Sequence, residues 1–230
     1  TNLEAFVGNT PLSLVISVLI VLGGLGFPVL NNLGDYPLFR KDRAAWRLSF
    51  HSKLVLSISA GLLLVGTVGI YFFEYNGTLA PLSWYEKWVA ALFHSVSART
   101  AGFNTVNIGH FSDTTLFLLI VLMWIGGSPA STAGGIKTTT FGVMLATLKA
   151  MLNRREEVSI FKRGISPLAV KKSLSVAFTA SALLAILFLL LLFFEGGDFK
   201  ELMFELFSAF NTVGLSTGIT AELSPIGKLI

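Results

Sequence analysis

Four stretches of this 230-residue chain are long and apolar enough to dictate its surroundings before any other feature is weighed. A helix that crosses the hydrocarbon core of a bilayer needs about 20 apolar residues. Leu12 to Leu30 has that length, with Gly23, Gly24, Gly26 and Pro28 crowded near its end. Leu54 to Phe73 is clean and stops at Glu74, and Ser173 to Phe194 is the strongest, with the run Leu183 to Phe194 ahead of Glu195. The fourth, Thr115 to Lys149, is too long for one straight crossing. It is broken in the middle by Gly126, Gly127, Ser128, Pro129, Ala130, Ser131, Thr132, Ala133, Gly134 and Gly135. Only 13% of the residues are charged, where a soluble domain carries roughly 25%, so much of the surface must face lipid. The absence of cysteine excludes disulfides, thiolate metal sites and cysteine nucleophiles. With His51, His94 and His110 the only histidines, zinc chemistry is not expected either.

Charge placement orders the spans. Arg40, Lys41, Arg43, Arg47 and Lys53 follow the first; Lys149, Arg154, Arg155, Lys162, Arg163, Lys171 and Lys172 follow the broken one. Together these twelve are most of the 17 Lys and Arg. The other two connections hold only Lys87 and Lys200. By the positive-inside rule the basic connections are cytoplasmic and the others external. The spans then run inward, outward, inward and outward. Basic residues used this way are topology determinants, not a nucleic-acid surface. The chain opens at Thr1 without an initiator Met or leader pattern. It stops at Ile230 soon after a motif that should precede another helix, so a fragment of a longer protein is expected.

After the second span the chain stays outside, yet Trp84 to Ala98 is again apolar and helical in pattern. At 1.5 Å per residue it is too short to cross. It leads into Arg99-Thr100-Ala101-Gly102-Phe103-Asn104-Thr105. After the fourth span the order returns: short Phe199 to Phe210, then Asn211-Thr212-Val213-Gly214-Leu215-Ser216-Thr217. At an offset of 112 residues both read Thr-x-Gly-[Phe/Leu]-[Asn/Ser]-Thr. Internal repetition of this kind organises the whole chain. Extended backbone at membrane depth is tolerated only where protein buries it or it lines water. A short helix ending there points its negative dipole end, about −0.5 charge, at the axis. The carbonyls beyond can replace a cation's water shell. The alternative is a pair of ordinary helix caps followed by external loops.

At these residues the chain resembles the Trk/Ktr/HKT superfamily of potassium transporters, closest to the bacterial Ktr membrane subunit. The words that carry the resemblance are Ser97 to Thr105, Gly126 to Phe141 and Ser208 to Ser216. It implies an all-α polytopic membrane protein of repeated helix–pore-loop–helix units, as in potassium channels. Residues 1–53 would be the final helix of a second unit with its cytoplasmic link. Residues 54–172 would be a third unit with pore helix, filter and broken inner helix; 173–230 would be a fourth up to its filter. Two more Thr-x-Gly-type loops are then expected upstream and a helix after Ile230.

Carried over residue by residue, Thr100, Ala101, Gly102, Phe103, Thr212, Val213, Gly214 and Leu215 would form filter walls, with potassium held by backbone carbonyls only. The break from Gly126 to Gly135, with Lys137, would be an intramembrane gating loop beneath the filter. The resemblance also implies a homodimer in the plasma membrane and a cytosolic nucleotide-binding ring docked on the basic stretches. No bound cofactor is implied; potassium is the cargo, and a sodium requirement stays open.

The side chains have their own readings. The Gly, Ser and Pro of the break cannot hold a continuous helix, because Gly costs about 1 kcal/mol and Pro about 3 in a helix interior; it is a gate or a static kink. Lys137 either faces the permeation path or snorkels to cap carbonyls. Arg99, whose charge would repel a cation, is expected behind the filter, bonded to a carboxylate or to carbonyls, with Glu205 a candidate partner. Asn211 takes the place of Arg99 in the second copy. His94 is read as a packing histidine and Phe103 as a packing or lipid-facing residue. Trp84, Tyr85 and Trp88 suit an external interfacial belt. Gly23, Gly24 and Gly26 suit close helix packing or a hinge. Three functions remain: potassium uptake through the pore, a secondary transporter binding a small solute at broken helices, and a non-transporting structural subunit. None is an enzyme.

Overall fold

The computed structural model describes residues 2–35 and 48–230. Arg40, Lys41, Arg43 and Arg47 of the first basic connection lie outside the described residues. The described residues form an all-α polytopic membrane fold with one short hairpin. In chain order they are α1 (Thr10–Leu25), α2 (Phe27–Gly34), α3 (Phe50–Phe73), α4 (Trp84–Ser97), α5 (Asp113–Trp124) and α6 (Thr138–Leu152). Strands β1 (Ser159–Ile160) and β2 (Arg163–Gly164) follow, then α7 (Pro167–Phe194) and α8 (Phe199–Phe210). α3 and α7 are each long and apolar enough to cross a membrane.

Polar side chains set the helix starts. Ser49, Ser83, Ser112, Ser166 and Asp198 sit at the N-caps of α3, α4, α5, α7 and α8, and each side chain accepts a backbone N–H from the first turn. Such caps satisfy donors that have no partner inside the helix. On α4 the cap is reciprocal, because the Glu86 carboxylate accepts the Ser83 N–H at 2.9 Å.

The first span differs from the straight crossing expected of Leu12 to Leu30. α1 and α2 meet at Gly26 with a bend of 104°. A Cβ there would lie 2.5 Å from the Pro129 carbonyl oxygen, so the bend is shaped around the broken segment of the fourth span. The fourth span is broken as expected, though more widely: the non-helical part runs from Ile125 to Lys137, between α5 and α6.

Two links show which ends lie together. Lys200 Nζ donates to Asp113 Oδ1 at 2.9 Å, joining the starts of α8 and α5. At the opposite end the Phe161 ring stands edge-on to Phe50 at 6.4 Å, beside the start of α3. The connection after α6 thus lies beside the start of α3, and the starts of α5 and α8 lie together.

The main core runs through both copies of the repeat. Ile70 of α3, Ala90 and Ala91 of α4, and Leu119, Leu122 and Met123 of α5 pack with Phe204 of α8 and with Val213 and Leu215 beyond it. In lipid such contacts depend on shape more than on water release. Gly66 shows how: a Cβ on it would stand 2.7 Å from Leu122 Cδ1 and 3.0 Å from Ser95 Cβ. One shared core therefore sets the two Thr-x-Gly turns relative to each other. A second core joins α7 to α8 through Leu184, Leu191, Leu202 and Leu206.

Candidate functional site

α4 and α8 end where the sequence placed the short helices, and each runs into its glycine turn by the same backbone path. Thr100 and Gly102 have φ of 72° and 70°; Thr212 and Gly214 have 54° and 87°. Glycine enters this region freely, whereas a β-branched residue does so under strain. That strain recurs at the same place in both copies. Val213 and Leu215 turn into the core, and Thr212 and Gly214 stay exposed.

The two turns lie against each other. A Cβ on Gly102 would collide with the Val213 carbonyl oxygen and stand 3.1 Å from Gly214 Cα. On its other side Thr100, Ala101 and Phe103 line an open cleft of about 460 Å³, with Gly23, Gly24 and Thr132 across from them.

Each turn is clamped twice by side chains from its own short helix. Ser97 Oγ accepts the Phe103 N–H at 2.8 Å and donates to the Phe103 carbonyl. Ser208 Oγ donates to the Leu215 carbonyl at 2.5 Å. Three residues earlier on each helix stands a second clamp. His94 Nε2 meets Thr105 Oγ1 at 3.4 Å, and Glu205 Oε1 accepts the Thr217 N–H at 2.8 Å and its hydroxyl at 3.1 Å. Glu205 also takes Ser216 Oγ at 2.7 Å and Thr220 Oγ1 at 2.6 Å. His94 is buried edge-on to Phe111 at 5.1 Å, so it packs as expected and clamps as well.

Glu205 is therefore not the partner of Arg99. The buried guanidinium reaches away from the turns, donating to Ser59 Oγ at 3.2 Å and to the Gly126 carbonyl at 3.4 Å. Of the two anchors considered, carbonyl is found and carboxylate is not. The reason is competition: the donors around Thr217 already fill both oxygens of Glu205.

The broken segment closes on itself and packs beside the second turn. Gly126 N–H donates to the Ile136 carbonyl at 2.9 Å, and Ile136 N–H to the Trp124 carbonyl at 3.2 Å, pinching its neck. Within it Lys137 Nζ caps the Ala133 carbonyl at 2.6 Å, the capping alternative for that lysine. A Cβ on Gly134 would collide with Thr212 Oγ1 and stand 3.0 Å from the Asn211 carbonyl carbon. Asn211 donates to the Phe207 carbonyl at 2.8 Å, and its Oδ1 is buried without a hydrogen-bond partner. On the far side Ser128 N–H donates to Gly24 O at 3.0 Å and Phe27 N–H to Ala130 O at 3.2 Å. The segment is thus held between the α1–α2 bend and the Asn211–Thr212 backbone.

The sequence reading missed the clamping roles of Ser97, Ser208 and His94. A signal was present, since Ser-Ala stands at the C-terminal end of each short helix. The second copy, however, carries one extra residue, Phe210, between that pair and its Thr-x-Gly, which hides the register. Of the external aromatics, Trp84 and Tyr85 are exposed, whereas Trp88 stacks on Tyr71 at 4.0 Å between ring centroids.

The family described as TrkH: Cation transport protein matches residues 2–230. Ktr system potassium uptake protein B of Vibrio alginolyticus is 39% identical over 100% of this chain and 50% of its own length. Ktr system potassium uptake protein D of Bacillus subtilis is 40% identical over 93% of this chain and 47% of its own. Potassium/sodium uptake protein NtpJ of Enterococcus hirae is 37% identical over 96% and 49%. Among solved structures, that of the potassium transporter TrkH from Vibrio parahaemolyticus superposes with a TM-score of 0.63 at 18% identity, over 95% of this chain and 53% of that one. The chain spans about half the length of the curated relatives it matches.

Proposed function

The chain belongs to the TrkH cation transport protein family, and from that premise we propose that it supplies half of a potassium-conducting pathway whose ions are held by the carbonyls of the two glycine turns. The observation that carries this reading is the matched pair of strained Thr-x-Gly turns in contact. An extended chain alternates its carbonyls from side to side. Reversing the sign of φ at every second residue, as at 100 and 102 or 212 and 214, brings successive carbonyls toward one side. A row of such dipoles binds a monovalent cation weakly and repeatedly, which suits passage. Both short helices end at the turns and aim their negative dipole ends there.

In this reading Thr100, Ala101, Gly102 and Phe103 form one wall, and Thr212, Val213, Gly214 and Leu215 form another. Arg99, Asn211 and Glu205 support them. The segment Gly126 to Gly135 with Lys137 acts as the gate, since it touches Thr212 on one side and the α1–α2 bend on the other. Transport needs no covalent chemistry, and the cation is cargo. The protein works in the plasma membrane as a homodimer, with a cytosolic nucleotide-binding partner on its basic face. Two relatives carry the words potassium uptake in their names and a third potassium/sodium uptake. Sodium coupling is therefore to be assayed together with potassium flux.

The test substitutes Gly102→Ser or Gly214→Ser in the full-length protein and measures rubidium flux into proteoliposomes. Each should lower flux at least 100-fold at equal inserted protein. Undiminished flux would refute the pore reading in favour of a structural subunit.

A further inference from the structure

We propose that Glu74 and Glu195 are equivalent positioning residues, each tying the end of an outward-running helix to the serine ten residues past a glycine turn. The inference rests on the pore reading above, because it assigns these carboxylates the task of holding the segment that leaves each filter wall.

Glu74 is the residue after α3 and is 1% exposed. Its Oε1 accepts the Ser112 N–H at 2.9 Å, Ser112 Oγ at 2.7 Å and Thr115 Oγ1 at 2.6 Å. Its Oε2 accepts the Thr78 N–H at 3.1 Å. Glu195 is the residue after α7, and its Oε1 accepts the Ser224 N–H at 3.1 Å and Ser224 Oγ at 2.5 Å. Ser112 and Ser224 are 112 residues apart, the same offset as Gly102 and Gly214, so each serine lies ten residues beyond its glycine. Both serines also open a helical turn. Ser112 Oγ accepts the Thr115 N–H at 3.4 Å, and Ser224 Oγ accepts the Gly227 N–H at 3.1 Å. Behind Ser224 the bonds Lys228 N–H to Ser224 O and Ile230 N–H to Ile226 O continue that turn.

Neither glutamate is where its own helix would want it. A carboxylate at a helix C-terminus faces the negative end of the dipole, and the favourable place for it is an N-terminus. Each lies instead at the N-terminal side of the following segment, across a gap in sequence of 38 residues for Glu74 and Ser112 and 29 for Glu195 and Ser224. Burial of a charge is tolerated when hydrogen bonds surround it, as they do buried Glu74, whereas Glu195 is only half-buried and is held by Ser224 alone among the bonds described. The outcome is a ten-residue segment anchored at one end by the Ser97 or Ser208 clamp and at the other by a carboxylate. Slack at the second anchor would reach the carbonyls at the first.

A glutamine keeps the shape but replaces one acceptor oxygen with a donor. The experiment compares Glu74→Gln, Glu195→Gln, Glu74→Asp, Ser112→Ala and Ser224→Ala in the full-length protein. Rubidium and sodium fluxes are measured in proteoliposomes at known inserted amounts. The rubidium-to-sodium ratio should fall several-fold in the glutamine and alanine variants and partly recover in Glu74→Asp. An unchanged ratio, with rates that merely follow the inserted amount, would overturn the inference. If Glu74→Gln does not insert, the serine variants decide by the same criterion. Gly102→Ser and Gly214→Ser are run alongside. Loss of flux there with an intact ratio in the glutamate variants rejects this inference alone, whereas undiminished flux there rejects the pore reading itself.

Discussion

The two copies of the repeat hold one backbone shape with different chemistry. In the first, the imidazole of His94 touches Thr105 through a single long bond, and Ser97 grips Phe103 at both its N–H and its carbonyl. In the second, the carboxylate of Glu205 gathers four donors around Thr217, and Ser208 holds only the Leu215 carbonyl. The residue before each Thr-x-Gly differs likewise. Arg99 reaches the start of the broken segment at Gly126, whereas Asn211 lies against its end at Gly134 and Gly135. A motif search sees the turn, which is the same twice, and not the clamps, which were solved separately. The comparison also teaches where charge is tolerated. The guanidinium of Arg99 is held by Ser59 and Gly126, and the carboxylate of Glu205 by the donors that follow the second turn.

Three experiments would sharpen that contrast, beyond the flux losses expected at the glycines. Glu205→Ala removes the shared acceptor of four donors, of which the half-buried Thr217 N–H and hydroxyl lose most, at about 1–3 kcal/mol for each donor left without a partner. Thermal unfolding in detergent should show a loss of about 3 kcal/mol, against about 1 kcal/mol for His94→Gln. Equal losses would mean that the two clamps matter alike. Next, Thr100→Gly and Thr212→Gly remove a β-branched side chain from a left-handed backbone, a relief of about 1 kcal/mol. Both variants should unfold at higher temperature while the rubidium-to-sodium flux ratio declines. A destabilised variant would show that the threonine side chain holds its turn more than it strains it. Smallest is Lys200→Ala. The pairing with Asp113 raises the Lys200 ammonium above its ordinary range, yet the pair is exposed and screened by solvent. No change in unfolding temperature is expected, and a clear drop would show that the link between α8 and α5 does more than orient them.

Glu74 adds a pH dependence at the end of α3. Burial by itself would raise its pKa, but hydrogen bonds from Thr115, Ser112 and Thr78 outweigh it and hold the carboxyl below its ordinary value. A depressed pKa means that this stabilisation is complete above the ordinary carboxylate range and is lost as pH falls through the folded value.

Much of the architecture could be read from residue order, for reasons that hold in any lipid bilayer. An apolar run such as Ser173 to Phe194 has no alternative to a crossing helix. Short segments such as Phe199 to Phe210 cannot cross, and Thr-x-Gly repeated at a fixed spacing is hard to produce without a common backbone. The bend at Gly26 was not readable, since three glycines and a proline permit packing, hinge or break alike. It was chosen by contact with Pro129, more than 100 residues further on. The choice between carbonyl and carboxylate for Arg99 was left open for the same kind of reason, and the structure chose the carbonyl of Gly126. Sequence lists the charges but does not say which donors reach a carboxylate first.

The order of amino acids alone marked which stretches are apolar enough for hydrocarbon and which are too short to cross it, because the energy of moving peptide groups and charges into hydrocarbon depends only on what each stretch contains. Tertiary structure alone decided which polar atoms meet: Glu205 with Thr217, Arg99 with Gly126, Glu74 with Ser112. Hydrogen bonds act over a few ångströms, so their partners are fixed only once the shared core of α3, α4, α5 and α8 has brought distant residues together.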